Sequence, residues 1–108
     1  MKASELRIGN WIGIVLPEAE TQATADHIKW ISEGDNIYKP IPLTEEWLVK
    51  FGFRKSANLY LSTGYFEFIW QGELFLDIEG QWLTLGCKYV HSLQNLYFAL
   101  TGKELEIN

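Results

Sequence analysis

The stretch "PIPLTEEWLVKFGF", residues 40–53, carries the start and stop signals of one short helix and separates two parts of the chain that differ in pattern. Thr44 is a good N-cap, and the two glutamates that follow it place negative charge at the positive end of the helix dipole. Gly52 is suited to the left-handed conformation that ends many helices. We therefore predict a helix over residues 45–51 and interpret this stretch as structural rather than catalytic.

The part of the chain before this helix has the pattern of short strands. Residues 11–16 alternate in the way that suits a strand, whereas residues 17–24 are polar without an apolar period and predict an exposed loop. The segments "DHIKWIS" (26–32) and "NIYKPIP" (36–42) also resemble short strands, and the prolines of the second limit it to an edge. We expect a small, strongly bent antiparallel sheet here.

The part after the helix predicts a meander over residues 58–85, with three or four strands broken by the glycine-containing turns "STG", "QG" and "EGQ". Side chains alternate between two faces of such a sheet. One face is predicted to be core, and it carries Phe66, Phe68, Trp70, Leu74, Leu76, Ile78, Leu83 and Leu85. The other face carries Tyr65, Glu67, Ile69, Glu73, Phe75, Asp77, Glu79, Trp82 and Thr84.

The last block, residues 88–105, predicts a helix over about residues 89–101 with Gly102 as its stop. Apolar residues at helical spacing predict an inward stripe, and the opposite side collects His91, Gln94, Asn95 and Phe98. Together the patterns predict an α+β fold over a single domain, residues 1–108. It would contain antiparallel sheets of about six or seven short strands and two helices.

Composition limits the classes of function. With 47% hydrophobic and 15% aromatic residues, the chain is expected to fold around a substantial core. A lone cysteine and the lack of a signal-peptide pattern favour a cytoplasmic location, and no apolar run is long enough for a membrane span. The net charge of -5 argues against direct binding of nucleic acid.

No pattern of catalytic or metal-ligating residues stands out. Cys87, His27 and His91 show none of the local pairing that a zinc site needs, and the glycine spacing matches no nucleotide-binding loop. Paired acids are explained by a helix start and a solvated strand face. We therefore predict that the protein is not an enzyme and has no catalytic residue, metal site or cofactor.

Three blocks of the sequence, "LRIGNWI", "PIPLTEEWLVKFGF" and "YVHSLQNLYFALTGKEL", resemble a family of short uncharacterised proteins encoded in Bacteroidetes genomes, their prophages and their phages. The blocks cover about 40 of the 108 residues, in the same order. The resemblance implies a mobile-element setting, in which small proteins often bind a host or viral protein. Inhibitors of defence nucleases, including anti-CRISPR proteins, come from such genes, but the resemblance supplies no site residue.

Two functional hypotheses follow. In the first, the protein is a phage-type accessory protein that binds a protein partner, such as a basic nucleic-acid-binding protein, and inhibits a host defence nuclease. Its binding residues would be Tyr65, Glu67, Ile69, Phe75, Asp77, Glu79 and Trp82, unless a helix covers this face and makes it a second core. In the second, the protein self-assembles as a structural or accessory homodimer without inhibitory activity. The interface would then use His91, Gln94, Asn95 and Phe98, or an open sheet edge.

Overall fold

The structure is a computed structural model that describes the backbone of residues 1–56, 59–61 and 67–107, and the side chains of residues 1–55 and 67–107. A 3₁₀ turn (Ala3–Glu5) precedes three helices, which are α1 (Ala25–Ser32), α2 (Glu45–Lys50) and α3 (Val90–Thr101). The strands of the described ranges are β1 (Trp11–Ile14), β2 (Ala19–Gln22), β3 (Tyr38–Lys39), β4 (Arg54–Ser56), β5 (Leu59–Leu61), β6 (Glu67–Trp70), β7 (Leu74–Ile78) and β8 (Gln81–Thr84).

These strands form two antiparallel sheets, which confirms the predicted α+β class. The smaller sheet has the order β2-β1-β3 and is built from the first part of the chain. The larger sheet has the order β4-β5-β6-β7-β8, so that every strand pairs with its neighbour in sequence. This second sheet is the predicted meander, with β4 as an additional strand directly after α2.

Helix α2 begins and ends as its sequence predicts. The Thr44 hydroxyl accepts a hydrogen bond from the Trp47 N–H at 3.4 Å, which caps the start of the helix. At the other end Gly52 has a φ of +85°, and the Phe53 N–H donates to the Leu48 carbonyl at 3.0 Å. This is the hydrogen-bond pattern of a Schellman motif. It turns Phe53 back toward the buried face of the helix.

The main hydrophobic core lies between α2, α3 and the near side of the five-stranded sheet. Because α2 has only six residues, packing rather than intrinsic propensity has to stabilise it. A second, smaller cluster lies beside the three-stranded sheet and contains Leu6, Ile12 and Ala23. The main cluster contains Ile41, Leu43, Trp47, Leu48, Phe51, Phe53, Phe68, Leu74, Leu76, Cys87, Val90, Leu93, Tyr97 and Leu105.

Two predictions for the first part of the chain are wrong. The segment predicted as a strand at residues 26–32 is helix α1, whose Thr24 cap exchanges hydrogen bonds with the backbone and ring of His27. Ile28 and Ile31 lie three residues apart and pack together on the smaller cluster. The predicted loop at residues 17–24 contains β2, whose residues pair with β1 although their side chains are mostly exposed.

Helix α3 agrees with the predicted range to within one residue. Its N-cap is Tyr89, and Gly102 ends it with a φ of +73° while its N–H donates to the Phe98 carbonyl at 2.7 Å. Among the helices of the described ranges, none is long and apolar enough to cross a membrane. The molecule as a whole is elongated, with extents of 44 × 25 × 24 Å.

Candidate functional site

The far side of the five-stranded sheet, here called the outer face, presents the residues that alternation predicts. Strand register places Glu67, Asp77 and Trp82 in one row across β6, β7 and β8. The next row contains Ile69, Phe75 and Thr84. The predicted partner-binding residues of these three strands therefore lie on one surface. Tyr65, which was also predicted to bind a partner, lies outside the described residues.

The aromatic part of the outer face is partly open to solvent. The rings of Phe75 and Trp82 are 5.9 Å apart at an angle of 43°, so they form one continuous apolar patch. Trp82 is 51% exposed and Phe75 is half-buried. A large exposed ring beside a partly buried one is the kind of anchor that protein interfaces use.

Ile69 differs from its neighbours, because it is only 1% exposed even though it lies on the outer face. It belongs to neither hydrophobic cluster and sits in the middle strand, directly across from Phe75 on one side and from Leu59 on the other. A cross-strand neighbour such as Phe75 covers part of a side chain in such a position. The expectation that Ile69 is available to a partner is therefore corrected.

The same face carries unbalanced negative charge. Glu67 and Asp77 are directly opposite each other on neighbouring strands, an arrangement that destabilises a sheet when both side chains are ionised. Glu79 projects from the adjoining two-residue turn, where its φ is +52°. Between Lys55 and Lys88 the sequence has no basic residue, and in the row of Glu67 the next one is Arg54, two strands away.

The hairpin formed by β7 and β8 extends beyond the main core. Leu83 and Ile78 belong to the side of the sheet that was predicted to be core, yet they are 53% and 51% exposed. The core-facing side of this sheet is buried at Phe68, Leu74 and Leu76 but not at β8. The prediction that Ile78 and Leu83 are core residues is therefore wrong, since about half of each residue is open to solvent.

The second predicted interface lies mainly inside the protein. Gln94 and His91 are 1% and 2% exposed, although the sequence placed them on the outside of α3. The Gln94 side chain accepts from the Trp11 N–H at 2.7 Å and donates to the Gly9 carbonyl at 3.2 Å. Polarity alone predicts a surface position, whereas here the Gln94 side chain satisfies backbone groups at and just before the first strand.

Asn95 continues this internal contact, which we call the polar seam between residues 5–11 and α3. Its side-chain oxygen accepts from Asn10 and from Arg7, both at 2.9 Å, and its nitrogen donates to the Glu5 carbonyl at 2.8 Å. The Arg7 guanidinium also lies 4.0 Å from the centre of the Phe98 ring and forms an ion pair with Glu104. The polar neighbours of Phe98 are thus partners within the same chain.

Two titratable side chains of the interior, Cys87 and His91, have pKa values that burial shifts. Burial raises the pKa of the Cys87 thiol to about 11, which leaves it protonated and weakly nucleophilic at neutral pH. Burial lowers the pKa of His91, while a hydrogen bond and the charge of Glu5 oppose that effect. Within the described ranges, no group of three His, Cys, Asp or Glu side chains could hold a metal ion.

A groove of about 410 Å³ opens on the smaller sheet, between Gly13 and the segment around Pro40. A side chain at Gly13 would crowd the groove wall, since a Cβ there would lie 3.0 Å from Cγ of Lys39. The Lys39 ammonium is 3.9 Å from a carboxylate oxygen of Glu18, another residue of the groove wall. Opposite charges are thus already close to each other in this groove.

Comparison with protein-family models, with curated proteins and with solved structures finds no match.

Proposed function

We propose that this protein acts by binding another protein through the outer face of the five-stranded sheet, and that the partner presents a basic surface. One observation carries the proposal: the half-exposed Trp82 stands in the same row as the like-charge pair Glu67 and Asp77. A cationic partner side chain would relieve that repulsion, while the aromatic patch would lose exposed apolar area on binding. Binding would therefore stabilise this protein at the site where two like charges face each other and a tryptophan ring is exposed.

The resemblance to mobile-element proteins supports a particular class of partner. Nucleases of host defence systems bind nucleic acid through grooves lined with Arg and Lys, to which an acidic and aromatic surface is complementary. An inhibitor of the anti-CRISPR kind would occupy such a groove and exclude the nucleic acid. In this proposal the protein performs no chemistry itself, and neither a cofactor nor a membrane takes part.

The experiment compares partner capture by matched variants. Tagged wild-type protein, the double variant Phe75→Ser/Trp82→Ser and the control Trp30→Ser are expressed in a related bacterium, and captured proteins are identified by mass spectrometry. Trp30 is a suitable control because it is another exposed tryptophan, 41% exposed, on the distant helix α1. We expect the control and the wild type to capture the same basic protein and the double variant to lose it without a change in melting temperature.

Charge variants give a second, sharper readout. Glu67→Gln removes half of the like-charge pair, so it is expected to stabilise the free protein by about 0.2–1 kcal/mol while weakening partner capture. Glu20→Gln, at an exposed site on β2, should change neither quantity. If Glu67→Gln leaves capture unchanged at low and at high salt, the proposed acidic interface is wrong.

Inhibition of a defence nuclease is tested in cells. Bacteria that carry such a nuclease and are challenged with a targeted phage should permit more plaques when they express the wild-type protein. The Trp82→Ser variant should restore protection by the nuclease. Capture of a nuclease without any change in plaque number would leave binding intact and contradict inhibition.

Self-assembly is the second candidate function, and the open edge of β8 is the observation that favours it. Copies of the chain could add strand to strand at that edge. Light scattering over a range of concentrations tests this candidate, since a mass that rises with concentration would support it and a constant mass of one chain would reject it.

A further inference from the structure

The two edge strands of the five-stranded sheet, β4 and β8, differ in the residues that could prevent a further strand from pairing with them. Strand β4, at one end, carries the exposed cations Arg54 and Lys55, and charged residues on an edge discourage pairing with another strand. Strand β8, at the other end, has the sequence QWLT without a proline or a charge. All four of its residues are exposed. The edge of β8 therefore lacks two common means of preventing strand addition, namely charged side chains and proline.

The hairpin geometry identifies which backbone groups of β8 point away from the sheet. Glu79 and Gly80 both have positive φ, as a two-residue type I′ turn requires, so Ile78 and Gln81 form the first hydrogen-bonded pair of the hairpin. Hydrogen-bonded and non-hydrogen-bonded pairs alternate along an antiparallel ladder. Gln81 and Leu83 therefore bond to β7. The N–H and carbonyl groups of Trp82 and Thr84 therefore point outward, away from β7.

The side chains beside this edge specify the chemistry of an added strand. A residue placed opposite Trp82 would lie on the outer face, in the row that already contains Glu67 and Asp77. A Lys or Arg there would meet the tryptophan ring and the carboxylates together. A residue placed opposite Leu83 would lie on the other side of the sheet, where an apolar side chain could cover Leu83.

We propose that β8 takes an extended segment of the partner protein as a sixth strand of the sheet, and that basic and apolar residues alternate in this segment. This inference rests on the proposed binding function and states how the partner is held. The backbone groups of Trp82 and Thr84 supply the hydrogen bonds, and the two faces of β8 select the alternating side chains. Charge complementarity favours this occupant over the β8 edge of a second copy, which would bring two acidic hairpins together.

A synthetic probe tests strand addition directly. The probe is a short capped peptide in which Lys and Val alternate, and its control replaces each Lys with Glu. Hydrogen exchange of the protein's amides is followed by NMR with and without peptide. We expect the Lys/Val peptide to slow exchange at Trp82 and Thr84 by about tenfold or more, and to leave Gln81 and Leu83 unchanged because β7 already protects them. The Glu/Val peptide should not slow exchange at Trp82 or Thr84.

Matched variants separate this inference from the proposed function. Thr84→Pro removes an outward N–H while it preserves the β7–β8 ladder and every outer-face side chain except that of Thr84, and proline is tolerated at strand edges. Thr84→Val keeps the N–H. We expect Thr84→Pro to weaken peptide binding and partner capture roughly five- to tenfold and Thr84→Val to weaken neither. An unchanged melting temperature shows that the proline variant is folded.

Each alternative result has a defined meaning. If Trp82→Ser abolishes partner capture but Thr84→Pro does not, the proposed function holds and strand addition is wrong. If neither variant affects partner capture, both the proposed function and the strand addition are wrong. Strand addition is also overturned if the Lys/Val peptide fails to bind up to about 1 mM. It is overturned as well if the amides of Trp82 and Thr84 are already protected in a concentration-dependent way, since a second copy of the chain would then occupy the edge.

Discussion

His91 shows how a buried side chain makes stability depend on pH. Burial lowers its pKa from the ordinary value of 6.5, and its Nε2 lies 3.5 Å from a carboxylate oxygen of Glu5, which opposes the shift. The folded protein therefore favours the neutral ring more than the unfolded chain does. The stability that neutral His91 contributes is complete above pH 6.5 and is lost as the pH falls from there toward the lower pKa of the folded state.

We predict that His91→Phe reduces this pH dependence. The phenyl ring can keep the stacking on Tyr89, whose ring centre is 5.7 Å away, but it does not titrate. The free energy of unfolding in urea, measured at about pH 7.5 and about pH 5.5, should fall less in the variant than in the wild type. The neighbouring Ser92→Ala variant should retain the wild-type fall. If the free energy of unfolding falls equally in His91→Phe and in the wild type, the pH dependence does not come from His91.

Cys87 is predicted to report unfolding through its reactivity. With the pKa of the thiol raised from 9.0 to about 11, the thiolate fraction near pH 8 is roughly a hundredfold lower than in the unfolded chain. Alkylation by iodoacetamide should therefore be slow in the native protein by at least that factor and should accelerate through the urea transition. Equal rates in native and unfolded protein would show that the side chain is not buried as described.

At the scale of elements, the polar seam joins the first strand to the last helix. We predict that Asn95→Ala destabilises the protein by about 2–4 kcal/mol, because it removes three hydrogen bonds and leaves the buried amide of Asn10 without one of its partners. Urea denaturation measures the loss. Ala99→Ser, at an exposed position of the same helix, should stay within about 0.5 kcal/mol of the wild type. A similarly small change in the free energy of unfolding of Asn95→Ala would mean that the polar seam contributes little to stability.

Elements with local signals could be predicted from the sequence, whereas elements that depend on distant contacts could not. Helix α2 has its cap at Thr44 and its stop at Gly52, and the structure uses both. Helix α1 was predicted as a strand because Ile28, Trp30 and their neighbours favour strands intrinsically. Its histidine also replaces the Glu or Gln that usually completes a capping box, so the start signal was not recognised.

The candidate site was predictable where local alternation determines it and was not predictable where distant contacts determine it. Alternation with period two placed Glu67, Asp77 and Trp82 on one face, and the strand register agrees. Alternation does not reveal how far the core extends along a sheet, which is why the exposure of Leu83 was missed. Nor does composition reveal that Gln94 bonds to backbone groups more than 80 positions away, since hydrogen-bond partners are set by tertiary structure.

At the scale of the whole molecule, the fold is elongated, with one extent of 44 Å and two of about 25 Å. The Cα radius of gyration is 14.4 Å, whereas a compact domain of this length would have about 13 Å. We predict that small-angle X-ray scattering at low concentration gives a radius of gyration close to the 14.4 Å of a single chain. A net charge of -5 disfavours association of copies. A radius that grows with concentration at moderate salt would contradict this prediction and favour the self-assembling candidate.

The polar seam also has a consequence for the order of events during synthesis. Asn10 and Asn95 are separated by 85 positions, so at about 5–20 residues per second a ribosome needs roughly 4–17 s to go from one to the other. The meander can assemble hairpin by hairpin as it leaves the tunnel, because each of its strands pairs with the preceding one. Both sheets can therefore form early, whereas residues 5–11 should become fully protected from protease only after helix α3 has left the tunnel.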